Sequence, residues 1–434
     1  MIYHSIKVNK IVMFRESFLD KVLYNIKKFI PGRVFNALAP AYHTILAYAG
    51  ALMYGFPSRG LTVVGVTGTK GKSTVTYLVS RILEAKGDGV AAIGSLGYKI
   101  KDKEWPNTLK MTMPGRFRLQ KFLAQAKRAG CKYVVLEVTS EGIKQKRHLG
   151  IKFDCAVFTN LHKEHIESHG SFEKYTQAKQ ELFKLTKNIH VLNSDDPNVE
   201  LFSKFPSKKT IFFGLKSGDM TARNLRVTST GSVFDAYGTE FKVNLIGEFN
   251  ILNCLAALAV GAMYGADLPT AKPILEAVNS IPGRMEFIQR DPFAVAVDYA
   301  HTPDSLEAVY KILKNDKKLI CVLGGAGGGR DKWKRPEFGR IASQYCDEII
   351  LTNEDPYDEN PNQILEDIKS GILNSKNPIL KILNRREAIK KAISNAQPGD
   401  TVIITGKGSE TSMALGGNKK ITWSDKKMVQ EALS

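Results

Sequence analysis

The feature that most constrains the fold is an alternation of short apolar runs with longer helical patterns, which starts near Leu61 and continues through the rest of the chain. Thus "LTVVGV" precedes "STVTYLVSRILEAKG", and "CAVFTNL" precedes "SFEKYTQAKQELFKL". This order is the sequence form of a parallel sheet with helices on its faces. We therefore predict an α/β fold.

The alternation falls into two units. The stretch "IPGRMEF", residues 281–287, ends a helical stretch with a Pro-Gly turn before a new strand pattern begins. A chain of 434 residues is also long for a single core. We predict a basic helical region over residues 1–60, a central P-loop ATPase domain with a parallel sheet over 61–282 and a Rossmann-like α/β domain over 283–434.

Charge and cysteine content narrow the partners and the compartment. The 62 Lys and Arg residues against 43 Asp and Glu give a net charge of +19, which favours phosphorylated substrates, nucleic acid or an anionic membrane surface. Five scattered cysteines favour neither disulfides nor a zinc ribbon, so we expect a reducing, cytoplasmic setting. No stretch reaches the ~20 apolar residues of a membrane span, and no signal peptide is recognisable.

The first 60 residues carry many cations and a helical apolar stripe formed by Phe14, Phe18, Val22 and Ile26. Two interpretations stay open, namely a helix packed on the body of the protein and a basic helix lying on a membrane. A second apolar segment, residues 44–56, is bracketed by Pro40 and Pro57 and is too short to span a bilayer.

The run "VGVTGTKGKST", residues 64–74, predicts a phosphate-binding loop. A strand, a Gly-rich turn and a helix gather backbone N–H groups at a helix N-terminus, where the helix dipole also favours an anion. Gly68 and Gly71 allow a close backbone approach, Lys72 reaches the outer phosphates and the Ser73 hydroxyl can bind Mg²⁺. Val66 stands where the strict motif has its first glycine. ATP binding is therefore expected.

Other polar residues follow apolar strands. Glu137 ends one strand and is placed to hold Mg²⁺, because carboxyl ends of strands face the ligand crevice in doubly wound sheets. His165 and His169 lie in the polar stretch "NLHKEHIESHG", and Lys179 lies on the following helix. Each is a weak signal alone.

Order and spacing make the signal specific. The segments "GTKGKST", "LEVTSEGIKQKR", "FTNLHKEHIESHG", "YTQAKQELF", "LIGEFNILNCLAA", "VDYAHTPDSLEAV", "GGAGGGRDKWKRP", "LTNEDPYDENP" and "ITGKGSET" follow one another along residues 61 to about 430. Together they resemble the Mur ligases of cell-wall synthesis, most closely the MurE branch, which adds the third amino acid of the peptide stem. The resemblance implies that ATP activates a muramoyl-peptide carboxylate as an acyl phosphate, which an amine attacks.

The same resemblance implies roles for individual residues. Ser73 and Glu137 would hold one Mg²⁺, and His165 and a carbamylated Lys179 a second, so that Lys72, Glu137, His165 and Lys179 form the catalytic set. The expected ATP-binding residues are Thr67, Gly68, Thr69, Lys70, Gly71, Lys72, Ser73, Thr74, Asn250, Asn253, Arg284, Asp298 and His301. Those for the muramoyl peptide are Thr112, Thr139, Gln145 and Arg147. Those for the incoming amino acid are Arg330, Glu354, Asp355, Tyr357, Gly406 and Glu410.

Two departures from the family pattern affect the substrates. Ligases of this branch that add meso-diaminopimelate carry Asp-Asn-Pro-Arg where this chain has Glu354, Asp355, Pro356 and Tyr357. A tyrosine cannot replace a bidentate guanidinium, and an acidic pair suits an amine, so lysine or ornithine is favoured ahead of diaminopimelate. The basic region 1–60 stands where the family has a UDP-binding domain, so the acceptor is a UDP-linked or a lipid-linked muramoyl dipeptide.

Two further alternatives remain at this level. A ligase of the folylpolyglutamate type shares the phosphate loop and would accept a pterin substrate. A nucleic-acid-binding protein would explain the net charge, but the cations are dispersed and no known recognition motif is present. We expect instead a monomer that binds no nucleic acid and contacts a membrane, if at all, through residues 1–60.

Overall fold

The computed structural model describes residues 32–164, 166–373, 377–417 and 419–434. Its first element is helix α1 (Gly32–Met53), which runs through Pro40. The expectation that Pro40 bounds this segment is therefore wrong. Proline removes only its own N–H group, and the Thr44 hydroxyl donates to the Pro40 carbonyl at 2.9 Å. The apolar stripe from Phe14 to Ile26 lies outside the described residues.

The central part is a nine-stranded sheet. Its strands are β1 (Thr62–Thr67), β2 (Val90–Ile93), β3 (Gly97–Ile100), β4 (Lys103–Pro106), β5 (Tyr133–Glu137), β6 (Cys155–Phe158), β7 (Ile189–Asn193), β8 (Lys209–Gly214) and β9 (Met220–Thr221). Their order is β4-β3-β2-β5-β1-β6-β7-β8-β9. The pairs from β2 to β9 are parallel, whereas β3 and β4 form an antiparallel edge.

Helices cover both faces of this sheet. They are α2 (Lys72–Glu84), α3 (Arg116–Arg128), α4 (Ser140–Lys144), α5 (Ile166–His169), α6 (Phe172–Leu185), α7 (Glu200–Ser203), α8 (Glu248–Met263) and α9 (Leu268–Glu276). Because side chains alternate along a strand, Val64 and Val66 enter one buried cluster and Val63 enters the other. The near-continuous apolar strands predicted this double burial.

A small antiparallel sheet follows the central one. It consists of β10 (Arg223–Val227), β11 (Ser232–Ala236) and β12 (Thr239–Val243). Phe234 and Phe241 stack with ring centroids 5.1 Å apart and join the core beneath α8. This sheet places the start of α8, and with it Asn250, beside the phosphate loop.

The C-terminal part is a six-stranded sheet in the order β13-β14-β18-β15-β16-β17. Its strands are β13 (Glu286–Gln289), β14 (Ala294–Val297), β15 (Leu319–Leu323), β16 (Glu348–Leu351), β17 (Ile379–Lys381) and β18 (Thr401–Ile404). The surrounding helices are α10 (Pro303–Leu313), α11 (Lys334–Tyr345), α12 (Pro361–Lys369), α13 (Arg385–Asn395) and α14 (Asp425–Leu433). A hairpin of β19 (Ser412–Leu415) and β20 (Lys419–Thr422) precedes α14.

The predicted fold class is confirmed, since two largely parallel sheets each carry helices on both faces. In such sheets the loops after the strands form the ligand crevice. The loops after β1, β5, β6, β14, β15, β16 and β18 indeed line one cavity. Within the part of the chain that is described, no helix combines the length and the apolarity needed to cross a bilayer.

Candidate active site

A cavity of about 850 Å³ lies between the two sheets and is lined by both. The predicted site residues that line it are Thr69, Lys70, Gly71, Lys72, Ser73, Thr74, Thr112, Glu137, Thr139, Gln145, Arg147, Asn250, Asn253, Arg284, Asp298, His301, Arg330, Glu354, Asp355, Gly406 and Glu410. Thr67, Gly68, Lys179 and Tyr357 lie directly behind or beside this lining. His165 lies outside the described residues. The cavity thus brings together residues from nearly the whole chain.

The phosphate loop joins β1 to α2. Gly71 begins the helix with a φ of 80°, and a Cβ there would lie 2.4 Å from the Asn253 Oδ1. The Lys72 ammonium donates to the carbonyls of Gly68 and Thr69 at 2.9 and 2.8 Å, so it folds back over the loop. The N–H groups of the first turn of α2 have no partner within the helix, so they can donate hydrogen bonds to phosphate oxygens, with Lys72 beside them.

The loop is strongly cationic. Burial lowers the pKa of the Lys72 ammonium, and burial together with Lys72 lowers that of Lys70 to about 8 despite the nearby Glu164. Lys70 also donates its backbone N–H to the Asn160 Oδ1 at 2.8 Å. Two half-buried lysine side chains close together favour a polyanion beside them.

Oxygen ligands for Mg²⁺ lie next to the loop. The Glu137 carboxylate accepts hydrogen bonds from the Ser95 N–H at 2.9 Å and the Ser95 hydroxyl at 3.3 Å, and burial raises its pKa. The Ser73 hydroxyl, 3.3 Å from Arg284 Nη2, faces the same space. Hard oxygen donors of this kind suit Mg²⁺. Among the described residues no three His, Cys, Asp or Glu side chains cluster as a metal site.

Lys179 lies behind the phosphate loop on α6. Its side chain is buried, and its ammonium donates to the Gly68 carbonyl at 2.7 Å. It also stands 4.6 Å from the centroid of the Tyr175 ring, whose hydroxyl bonds the Thr69 hydroxyl at 3.0 Å. Burial, aided by Lys72, holds the pKa of Lys179 well below its ordinary value. Burial at this position therefore works against the charged form of the Lys179 side chain.

The nucleotide-binding candidates come from both halves of the molecule. Asn253 donates to the Asn250 Oδ1 at 3.1 Å on α8, which fixes the two amides beside Gly71. Arg284 stacks on the Tyr299 ring at 4.4 Å. The Asp298 carboxylate accepts hydrogen bonds from the backbone N–H groups of Met285 and Ala300, at 2.6 Å each. It thereby orders the backbone next to Arg284 and Tyr299.

Glu164 connects the two halves and was not singled out from the sequence. Its Oε1 lies 3.2 Å from the His301 Nε2 and 3.6 Å from the Lys70 ammonium. Burial and Lys70 lower the pKa of His301. The residue stands in the quoted stretch "NLHKEHIESHG", and its position after β6 was the signal for it.

The muramoyl-peptide candidates form one group near β5. The Thr112 hydroxyl bonds the Ser95 hydroxyl at 2.7 Å, and Thr139 caps α4 by accepting the Gly142 N–H at 3.0 Å. Arg147 donates to the Gln145 Oε1 at 2.7 Å and to the Met113 carbonyl. Burial lowers the pKa of the Arg147 guanidinium, so an acceptor carboxylate is favoured next to it.

The amino-acid candidates gather on the C-terminal sheet. Arg330 donates to the Tyr357 hydroxyl at 2.9 Å. Glu354 lies buried under Gly406, and burial raises its pKa to about 7. Asp355 is held by the ammonium groups of Lys407 and Lys110. The acidic pair that was expected to suit an amine is therefore not a pair of uncompensated carboxylates. Lys407 and Lys110, which the sequence analysis did not single out, compensate Asp355, and burial favours protonation of Glu354.

Known protein families match both parts of the chain that line the cavity. Residues 66–261 match the Mur ligase middle domain, and residues 283–408 match the Mur ligase glutamate ligase domain. The UDP-N-acetylmuramoyl-L-alanyl-D-glutamate–2,6-diaminopimelate ligase of Thermosynechococcus vestitus is 40% identical, over 88% of this chain and 79% of that protein. The enzyme of the same name from Aquifex aeolicus is 38% identical, over 88% and 79% of the two chains.

Solved structures of other proteins are similar to the fold of this chain. A structure of a ligase with that name has a TM-score of 0.60 and 32% identity, and the match covers 86% of this chain and 78% of that one. A folylpolyglutamate synthase of Mycobacterium tuberculosis, with a TM-score of 0.68 and 19% identity over 83% and 91% of the two chains, shares the fold. The two matched domains supply the two walls of the cavity. The chain therefore belongs to the Mur ligase family and is an ATP-dependent, ADP-forming ligase of the MurE type.

Proposed function

We propose that this enzyme joins a diamino acid to the free carboxylate of UDP-N-acetylmuramoyl-L-alanyl-D-glutamate in peptidoglycan synthesis. The observation that carries the proposal is one cavity whose lining includes the phosphate loop, Arg147 and the group around Arg330 and Asp355. The relatives named above act on diaminopimelate, and the compensated Asp355 removes the argument for lysine or ornithine. We therefore place meso-diaminopimelate first.

The reaction couples two steps. The acceptor carboxylate attacks the γ-phosphorus of ATP, which releases ADP and forms an acyl phosphate. The amine of the incoming amino acid then attacks the acyl carbon, inorganic phosphate leaves, and the amine loses a proton. Arg147 would hold the acceptor, while Lys72 and Arg284 would offset the charge that develops in transfer. Mg²⁺, held by Ser73 and Glu137, would further neutralise the phosphates.

Lys179 would take part as a carbamate. Its neutral amine attacks CO₂, which forms an N–C bond and releases a proton, and the product is an anionic oxygen ligand. The depressed pKa and the position behind Gly68 support this chemistry. With His165 it would hold a second Mg²⁺.

We further propose that residues 1–60, 61–282 and 283–434 act as three regions of a cytoplasmic monomer. Helix α1 packs through Ala47 and Ala51, both buried, and turns larger apolar side chains outward. Leu38, Ile45 and Leu52 are 59%, 67% and 71% exposed on one helical face. The adjoining α3 carries five cations and no acidic residue. An anionic lipid surface complements this combination, so peripheral membrane contact is proposed here.

The test is ADP release with ATP, Mg²⁺ and the UDP-linked dipeptide across a panel of amino acids. Turnover that depends on diaminopimelate, with a product heavier by that residue, is expected. Turnover with a pterin substrate, or none with any amino acid while ATP still binds, would contradict the proposal. In the second case a lipid-linked dipeptide is the next acceptor to test.

A further inference from the structure

Four charged side chains form a closed group in the amino-acid part of the cavity. The Lys110 ammonium lies 2.9 Å from both Asp355 oxygens and 3.3 Å from the Glu410 Oε2. The Lys407 ammonium lies 3.0 Å from both Asp355 oxygens and also bonds Glu410. The Ala414 N–H donates to Asp355 at 2.6 Å. Each carboxylate thus contacts two ammonium groups, and the group is neutral overall.

Lys110 reaches this group from the other half of the molecule. It belongs to the loop after β4, on the central sheet, whereas Asp355, Lys407 and Glu410 belong to the C-terminal part. Its backbone has a φ of 52°, which is costly for a residue with a side chain. Its side chain is nine-tenths buried, and the residue lines the cavity. Backbone strain of this kind is commonly kept where a residue has a functional task.

The charge of the group decides which amino acid fits. Without Lys110, the carboxylates of Asp355 and Glu410 would outnumber the Lys407 ammonium, and a lone ammonium such as that of lysine would be favoured. With Lys110 the group is neutral, and the Arg330 guanidinium, fixed by Tyr357, adds a cation nearby. Such a surface complements an end that carries both an ammonium and a carboxylate, as diaminopimelate does.

We propose that Lys110 is a specificity-determining residue, whose ammonium binds the distal carboxylate of the incoming diamino acid. The residue thereby supplies, from the opposite wall of the cavity, the cation that Tyr357 does not provide. This role rests on the proposed function.

The test is the ratio of kcat/KM for meso-diaminopimelate to that for lysine in Lys110→Met. A charge-assisted hydrogen bond within a cavity is worth ~1.5–3 kcal/mol, so the ratio should fall ~10- to 100-fold. The fall should come from a higher KM for diaminopimelate, while the KM for ATP stays unchanged. Lys110→Arg should keep most of the ratio. Lys132→Met, which removes an exposed lysine on the same sheet, is the matched control.

An unchanged ratio in Lys110→Met, or an equal loss for both amino acids, would overturn the role of Lys110 while wild-type turnover still upheld the proposed function. A poorly folded Lys110→Met would leave Lys110→Arg and Lys110→Gln to decide, since only the first retains the cation. Wild-type enzyme that forms an amide with no amino acid would overturn the proposed function and this role together.

Discussion

Glu354 is a carboxyl group buried in a charged cavity, and its titration should be visible in stability. Burial raises its pKa from near 4.5 to about 7. Between these values the folded protein holds a proton that the unfolded chain has lost, so folding stability falls as pH rises through this window. Glu354→Gln removes the titrating group and keeps the shape.

We therefore expect the free energy of unfolding of Glu354→Gln, minus that of the wild type, to grow by up to ~3 kcal/mol from pH 5 to pH 8. Urea unfolding at several pH values measures it. A constant difference would mean that Glu354 is ionised in the folded protein throughout this range.

Substitution of Lys179 tests the proposed carbamate. Lys179→Ala should abolish turnover, and short carboxylates that imitate a carbamate should restore part of it. Lys184→Ala, on the exposed side of the same helix, should leave turnover unchanged. Full activity of Lys179→Ala would contradict the proposed carbamate. An intact mass of the native enzyme, measured in bicarbonate, that never includes one added CO₂ would contradict it as well.

One buried ion pair joins helix α14 to helix α13. Arg385 on α13 and Asp425 on α14 are fully buried and bond through two N–H groups at 2.8 and 2.7 Å. Arg385→Met would leave a buried carboxylate without its cation, so a loss of ~3–5 kcal/mol in unfolding free energy is expected. The Trp423 N–H would still bond Asp425.

A matched control lies between the same two helices. Arg386 and Glu431 form an exposed pair at 3.0 Å, so Arg386→Met should cost under ~1 kcal/mol. Arg385→Met combined with Asp425→Asn should recover part of the loss. Equal costs for the two single variants in thermal or urea unfolding would contradict this account.

The strands differ in how readily the sequence predicts them. The parallel strands were readable because residues such as "YVVLE" in β5 are apolar on both faces. The small sheet β10–β12 was missed, although "SVFDAYGTEF" alternates around a Tyr-Gly turn, because its strands are short and half exposed. Lys110 was missed as a site residue because its partners Asp355 and Glu410 lie far away in sequence, which local patterns do not report.

Membrane binding by the N-terminal region should be separable from ATP binding by the rest of the molecule. Co-sedimentation with vesicles of anionic lipid should retain the full chain at low salt and release it as salt rises. Ile45→Asn combined with Leu52→Asn should weaken retention at least several-fold without changing ATP binding, because both side chains point outward. Leu201→Asn, at another exposed apolar position, is the control.

Equal binding to neutral and anionic vesicles, or retention unaffected by the double variant, would overturn the membrane surface. Concentration-dependent dimerisation lost in the double variant would instead assign the α1 face to a second copy. A truncated variant that tests the N-terminal region should remove only residues 1–31 and keep α1, because Ala47 and Ala51 of α1 are buried.

In the proposed reaction, one cavity activates a carboxylate with ATP and then forms an amide. The decisive experiment supplies ATP, Mg²⁺ and diaminopimelate with an acceptor dipeptide whose free carboxylate is labelled with oxygen-18. Each amide formed should transfer one labelled oxygen atom from that carboxylate to inorganic phosphate. Release of unlabelled phosphate would show that water, rather than the acceptor carboxylate, attacks ATP, and would rule out the acyl-phosphate route.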